Sequence, residues 1–145
     1  MIKITQFFYE PNTSECEKAS ASYLMSLVTI FIGMPLPVIN LIASFLFYLL
    51  NKKSTHFVRW HCTQVLISQL FLFGINSVGF SWTLSCLLGI VSFSNLYFSY
   101  LISLLIFNLI EIVSSIVSAI QTRKGKHVEW WAFNDVTNFL CKPKE

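Results

Sequence analysis

Charge is what this sequence has least of. Asp, Glu, Lys and Arg make up only 12% of its 145 residues, against roughly a quarter in an average soluble domain. Residues 19–51 hold no Asp, Glu, Lys, Arg or His, and neither do residues 62–110. Such a surface cannot be kept solvated in water, which excludes an ordinary soluble enzyme and a disordered tail. Paired cysteines are missing too. Cys16, Cys62, Cys86 and Cys141 stand singly, with no C-x-x-C and no zinc-type Cys/His spacing. That excludes a disulfide-rich secreted domain and leaves the thiols as small apolar fillers. The opening MIKITQFFYE has one lysine and no uninterrupted apolar stretch before Pro11, so no cleavable signal peptide is expected. There is no G-x-S-x-G, no H-E-x-x-H, no glycine-rich phosphate loop and no pair of acids within one apolar run. No catalytic residue, cofactor or metal is therefore expected. The net charge of +3 comes from residues flanking the apolar runs, which argues for membrane flanks and against a nucleic-acid groove.

What is present is apolar length: 54% of the residues are hydrophobic, 16% are aromatic, and the mean hydropathy is +0.63. A bilayer core about 30 Å thick is crossed by roughly 20 apolar residues in a helix. The chain is thus read as an all-α integral membrane bundle of four short spans. An N-terminal tail over 1–14 carries Phe7, Phe8 and Tyr9 as interfacial anchors. Ser14 and Glu17 fit a capping box opening a first helix at 15–34. Gly33, Pro35 and Pro37 break it, and a second helix covers 36–51, ending at Lys52 and Lys53. These two form either a hairpin or one long kinked span. A third helix covers 57–80, with residues 81–96 as a loop or a short surface helix. The fourth covers 97–122 and stops at Arg123, Lys124, Gly125 and Lys126. Residues 127–145 form a further segment in which Trp130, Phe133, Val136, Phe139 and Leu140 share one arc of an interfacial helix.

Orientation follows from basic residues. Lys52, Lys53 and Arg59 precede the third span, Arg123, Lys124 and Lys126 follow the fourth, and residues 81–96 carry no charge. The positive-inside rule makes the basic side, with the C-terminus, cytoplasmic, in a multi-pass protein of the cell inner membrane. Trp60, Trp130 and Trp131 then anchor the inner interface, and Trp82, Tyr97 and Tyr100 the outer one.

Glu111 is the informative exception in an apolar run. It lies roughly 16 Å along the helix from Thr122, near mid-depth, where a carboxylate must be paired, solvated or protonated. Asn108, Glu111, Ser115, Ser118 and Thr122 recur three and four apart, on one face of the helix, with Ser103 and Ser114 on its flank. The third helix carries a second seam of His61, Gln64, Ser68 and Asn76, with Gly79 beneath. The two are expected to face each other, Glu111 bonding Gln64, Ser68 or Gln69. Three roles fit: helix packing through hydrogen bonds, a polar path for a polypeptide, solute or ion, or a proton-coupled role for Glu111. Arg59 and His61, at the inner interface, serve as a topological anchor or touch a partner subunit or neighbouring helix ends.

The stretch Phe57-Val58-Arg59-Trp60-His61-Cys62-Thr63-Gln64, preceded by Asn51-Lys52-Lys53-Ser54, resembles a motif of small bacterial membrane proteins related to the chloroplast inner-envelope import component (the Tic twenty-kDa subunit-like family). The end of the fourth span, Ala119 to Lys126, is similar to that family's small-residue helix end followed by Gly-Lys. The likeness covers roughly residues 20–127; beyond it, His127-Val128-Glu129-Trp130-Trp131 departs from that family's aromatic-basic-proline stretch. The resemblance implies a link to protein translocation or insertion. The expected function is a non-enzymatic accessory or scaffold subunit of a membrane complex, with other membrane subunits (translocase components among them) and the lipid bilayer as partners. The alternative is a small-solute or ion channel or transporter using the seam around Glu111.

Overall fold

The computed structural model describes residues 2–33 and 37–141, with the side chains of all but residues 28–33 and 37. In chain order the elements are β1 (Ile2–Thr5), α1 (Thr13–Gly33), α2 (Pro37–Asn51), α3 (His56–Leu87), α4 (Asn95–Arg123), β2 (His127–Trp130) and α5 (Asn134–Leu140). The proline-rich turn expected between the first two helices centres on residues 34–36, outside the described residues.

The cap of helix α1 lies two residues before the expected Ser14. Asn12 Oδ1 accepts the Glu15 N–H at 3.0 Å and Glu15 Oε2 accepts the Asn12 N–H at 2.9 Å, the reciprocal pair of a capping box. Asparagine caps as well as serine does, and this frame adds helix ahead of Ser14. Helix α3 runs past Gly79 to Leu87, so residues 81–87 of the segment expected as a loop or a separate surface helix are a continuation of the third helix. The hydroxyls of Thr83 and Ser85 are spent on carbonyls one turn back, which lets them sit inside a helix. Gly89, at φ +72°, then closes it, with its N–H on Cys86 O and the Ile90 N–H on Ser85 O. Ser94 caps α4 by accepting from Tyr97 N. At the other end of α4, Gly125 at φ +77° repeats the same terminating motif.

The N-terminal residues expected as a tail instead form β1, which pairs antiparallel with β2, Ile2 opposite Trp130 and Thr5 opposite His127. Helix α1 packs against α2, α3 and α4, while α5 packs on α3. The apolar core is small: Tyr23, Val65, Ala119, Val128 and Trp130, flanked by Ile2 and Phe133.

Two helices, α3 (32 residues) and α4 (29), are long and apolar enough to cross a bilayer; Val38–Asn51 is apolar but shorter. At 1.5 Å per residue α3 spans about 48 Å, well beyond a hydrocarbon core of about 30 Å. The surface is inverted relative to a soluble domain. Leu105, Leu109, Ile110 and Val113 on α4, and Leu70, Phe71 and Val78 on α3, are at least half exposed, while Ser26, Gln64, Gln69, Glu111, Ser115 and Ser118 are buried.

Candidate functional site

Two polar clusters occupy the bundle interior. The first is at mid-depth, where α1, α3 and α4 meet. Gln69 Nε2 donates to Glu111 Oε1 at 2.7 Å, and Ser115 Oγ donates to the same oxygen at 3.0 Å. Ser26 on α1, whose hydroxyl donates to Tyr23 O at 2.7 Å, lies with its Oγ 3.3 Å from Ser115 Oγ, so a third helix joins what the sequence presents as a two-helix seam. Glu111 lies about 18 Å from the Arg123 end of α4, and Gln69 about 20 Å from the His56 end of α3, which matches their depths. Of the other partners considered for Glu111, Ser68 donates to its own helix at Val65 O, and Gln64 is engaged elsewhere. Further along, Asn76 and Asn108 exchange side-chain hydrogen bonds at 3.1 and 2.8 Å. Gly79 lets the helices close: a Cβ there would fall onto Leu104 Cδ1.

The second cluster is at the basic end, around Gln64. Its Nε2 donates to Tyr23 Oη at 2.8 Å and to Val128 O at 3.2 Å, and its Oε1 accepts the Trp130 N–H at 3.0 Å. Because Tyr23 receives that proton donor, its own hydroxyl donates to His61 Nδ1 at 2.8 Å. His61 Nε2–H then donates to His127 Nδ1 at 3.2 Å, and His127 Nε2 faces Glu129 Oε1 at 3.4 Å. The tautomers are assigned from this directional chain. Burial, with the charge of His56 nearby, holds His127 down at about 4. The cluster is tied down further by Trp130 Nε1 donating to Ser118 Oγ at 2.7 Å and Trp60 Nε1 donating to Asn138 Oδ1 at 2.8 Å.

These contacts revise several roles. Trp60 and Trp130 are core residues, 2% and 6% exposed, and only Trp131 of the three expected inner anchors faces outward, at 80%. Trp130 sits in a strand, not on the arc of an interfacial helix, because pairing with β1 holds residues 127–130 extended. Phe57, Val58, His61 and Gln64 are fully buried, so that motif is the receptacle on which the strand pair and α5 dock. Arg59 is half-buried, and its Nε has no partner among the described residues. Thr122 Oγ1 returns to Ser118 O. Sequence reasoning overlooked α1 as a polar helix, although Ser22 and Ser26 stand one turn apart beside Tyr23, and it overlooked His127. All four cysteines are free and buried, and no group of three or more metal-ligating side chains occurs among the described residues.

Polar side chains paired inside, large apolar ones outside, and two helices of spanning length define a small helical membrane protein. Residues 17–135 match the magnetosome magnetite crystal formation protein family (MamF/MmsF), and the chain belongs to that family. This corrects the resemblance to the chloroplast import component. The residues that carried it, Phe57 to Gln64 and the Gly-Lys helix end, are set by docking and helix-termination demands that do not specify translocation. No curated protein and no solved structure matches the chain.

Proposed function

We propose that this protein is a non-enzymatic scaffold of the magnetosome membrane, holding other membrane proteins in place during magnetite crystal formation. The observation that carries this reading is the pairing of the buried polar groups around Glu111 and Gln64. Gln69, Ser115 and Ser26 meet at Glu111, and the Gln64 amide is spent at both ends, so these side chains knit helices together. In this reading α1 and α2 add two further crossings, giving four. The basic side, with Lys52, Lys53, Lys124, Lys126 and the C-terminal segment, is cytoplasmic. Helix α5 turns Thr137 inward and leaves Val136, Phe139 and Leu140 outward, as an interfacial helix does, with exposed Asn138 still accepting the Trp60 N–H. The partners are membrane subunits of the same compartment.

The test is deletion of the chain in a magnetite-forming cell, with crystals sized by electron microscopy and mild-detergent purification followed by mass spectrometry. Altered crystals restored by the wild-type chain, with magnetosome membrane proteins co-purifying, support the scaffold. Unchanged crystals overturn it. A flux in proteoliposomes that Glu111→Gln abolishes while the complex still assembles would favour the channel or transporter reading.

A further inference from the structure

The basic end of the bundle carries an open groove of about 610 Å³ that neither polar cluster uses. One wall is the N-terminal segment between β1 and α1; the other is the turn that follows α4. Thr5, Gln6, Tyr9 and Glu10 line the first wall, Lys124 and Lys126 the second. The turn is seated by Gly125, whose positive φ reverses the chain so that the two lysines flank it. A Cβ on Gly125 would lie 3.8 Å from Cys16 Sγ and 3.9 Å from Pro11 Cγ, so the turn rests directly on the N-terminal segment. Its backbone N–H groups are already spent on Gln121 O and Thr122 O, which leaves only side chains to bind anything.

Those side chains are unspent. Among the described residues, the hydroxyls of Thr5 and Tyr9, the Gln6 amide, the Glu10 carboxylate and both lysine ammonium groups make no hydrogen bond or ion pair with the protein. Two cations and three neutral hydrogen-bonding groups around one opening match a phosphate; Glu10, on the same wall, opposes it. The position favours a phosphate that comes with a lipid. The groove opens where a membrane-length helix ends, and Phe8, 76% exposed, packs on two of its lining residues, Phe7 and Tyr9, at 4.3 and 5.0 Å between ring centroids. An exposed aromatic beside lysines suits the boundary between headgroups and acyl chains.

We propose that this groove binds the phosphate of an anionic phospholipid headgroup, with Lys124 and Lys126 pairing to its oxygens and Phe8 set into the acyl boundary. The inference goes beyond the scaffold reading and does not depend on it.

The test uses the full chain in detergent, titrated with short-chain phosphatidylglycerol, phosphatidylcholine and inorganic phosphate, with binding read by native mass spectrometry and calorimetry. Phosphatidylglycerol is expected to bind at least tenfold tighter than phosphatidylcholine, and Lys124→Gln with Lys126→Gln to weaken it about tenfold or more. Lys52→Gln with Lys53→Gln removes the same charge elsewhere and is expected to leave binding within about twofold, while Glu10→Gln tightens it. Equal losses from the two lysine pairs would mean general electrostatics and overturn the site. Inorganic phosphate binding as tightly as phosphatidylglycerol would make a free anion the ligand and overturn the lipid assignment. Circular dichroism of each variant checks that the helices are retained.

Discussion

Gln64 on α3 holds Trp130 on β2 by a hydrogen bond from the strand's backbone N–H to the amide oxygen, 3.0 Å long, while its amide nitrogen reaches Val128 O two residues earlier. A single side chain on a membrane helix thus supplies the strand with the hydrogen bonds of a missing partner. Replacing it with leucine leaves a buried N–H and a buried carbonyl unpaired, each costing about 1–3 kcal/mol. Gln64→Leu is expected to lower stability by about 2–4 kcal/mol and to raise amide exchange across residues 127–130. Exchange there equal to the wild type would show that the strand does not depend on Gln64.

The histidine pair gives the terminal segment a pH response. His127 titrates near 4 in the folded protein and near 6.5 when unfolded, because burial and His56 disfavour its charged form. Above about pH 7 both states are neutral and the stability is intact. As pH falls from 6.5 towards 4 the unfolded chain takes up the proton first, so stability drops, by at most roughly 3 kcal/mol. A proton on Nδ1 would also point at the N–H of His61. Hydrogen exchange of β2 is expected to accelerate over that window, and His127→Gln to flatten the response; a wild-type profile flat from pH 7 to 4.5 contradicts it.

Gly79 sets how closely α3 and α4 approach. A methyl at this position meets Leu104 Cδ1, the end of a flexible side chain, so Gly79→Ala is expected to cost about 1 kcal/mol. Adding Leu104→Ala should relieve part of that cost, as coupled neighbours do. Thermal unfolding in detergent measures both, and strictly additive losses would remove Gly79 from this role.

Trp131, 80% exposed, sits just before α5 and on the reading above enters the headgroup region. Brominated phospholipids are expected to quench more fluorescence in the wild type than in Trp131→Phe, since Trp60 and Trp130 are enclosed. Identical fractional quenching would place Trp131 in water.

The helices were legible in the sequence because uncharged runs and basic flanks mark them directly, and the spacing of 108–122 marks one polar face on α4. The fold of the ends was not. Four-residue strands such as Ile2–Thr5 carry too little alternation to declare themselves, and their pairing spans the whole chain. Amphipathic aromatics such as Trp60 and Trp130 usually anchor at a membrane interface. Here Asn138 and Ser118 accept their N–H groups and draw them into the core. The continuation of α3 beyond Gly79 was hidden by hydroxyl residues that bond back to their own helix. The family was misread for a related reason: a short interfacial motif constrained by packing recurs where its biology does not.

The central claim, that Glu111 is turned inward and fastened to Gln69 across the bundle, is tested most directly by a double-mutant cycle. Gln69→Leu, Glu111→Leu and the double variant are unfolded in a lipid bicelle. The 2.7 Å contact predicts a coupling of about 0.6–1.7 kcal/mol, the double variant losing less than the sum of the singles. Losses additive to within about 0.3 kcal/mol would show that the two side chains do not meet in the membrane.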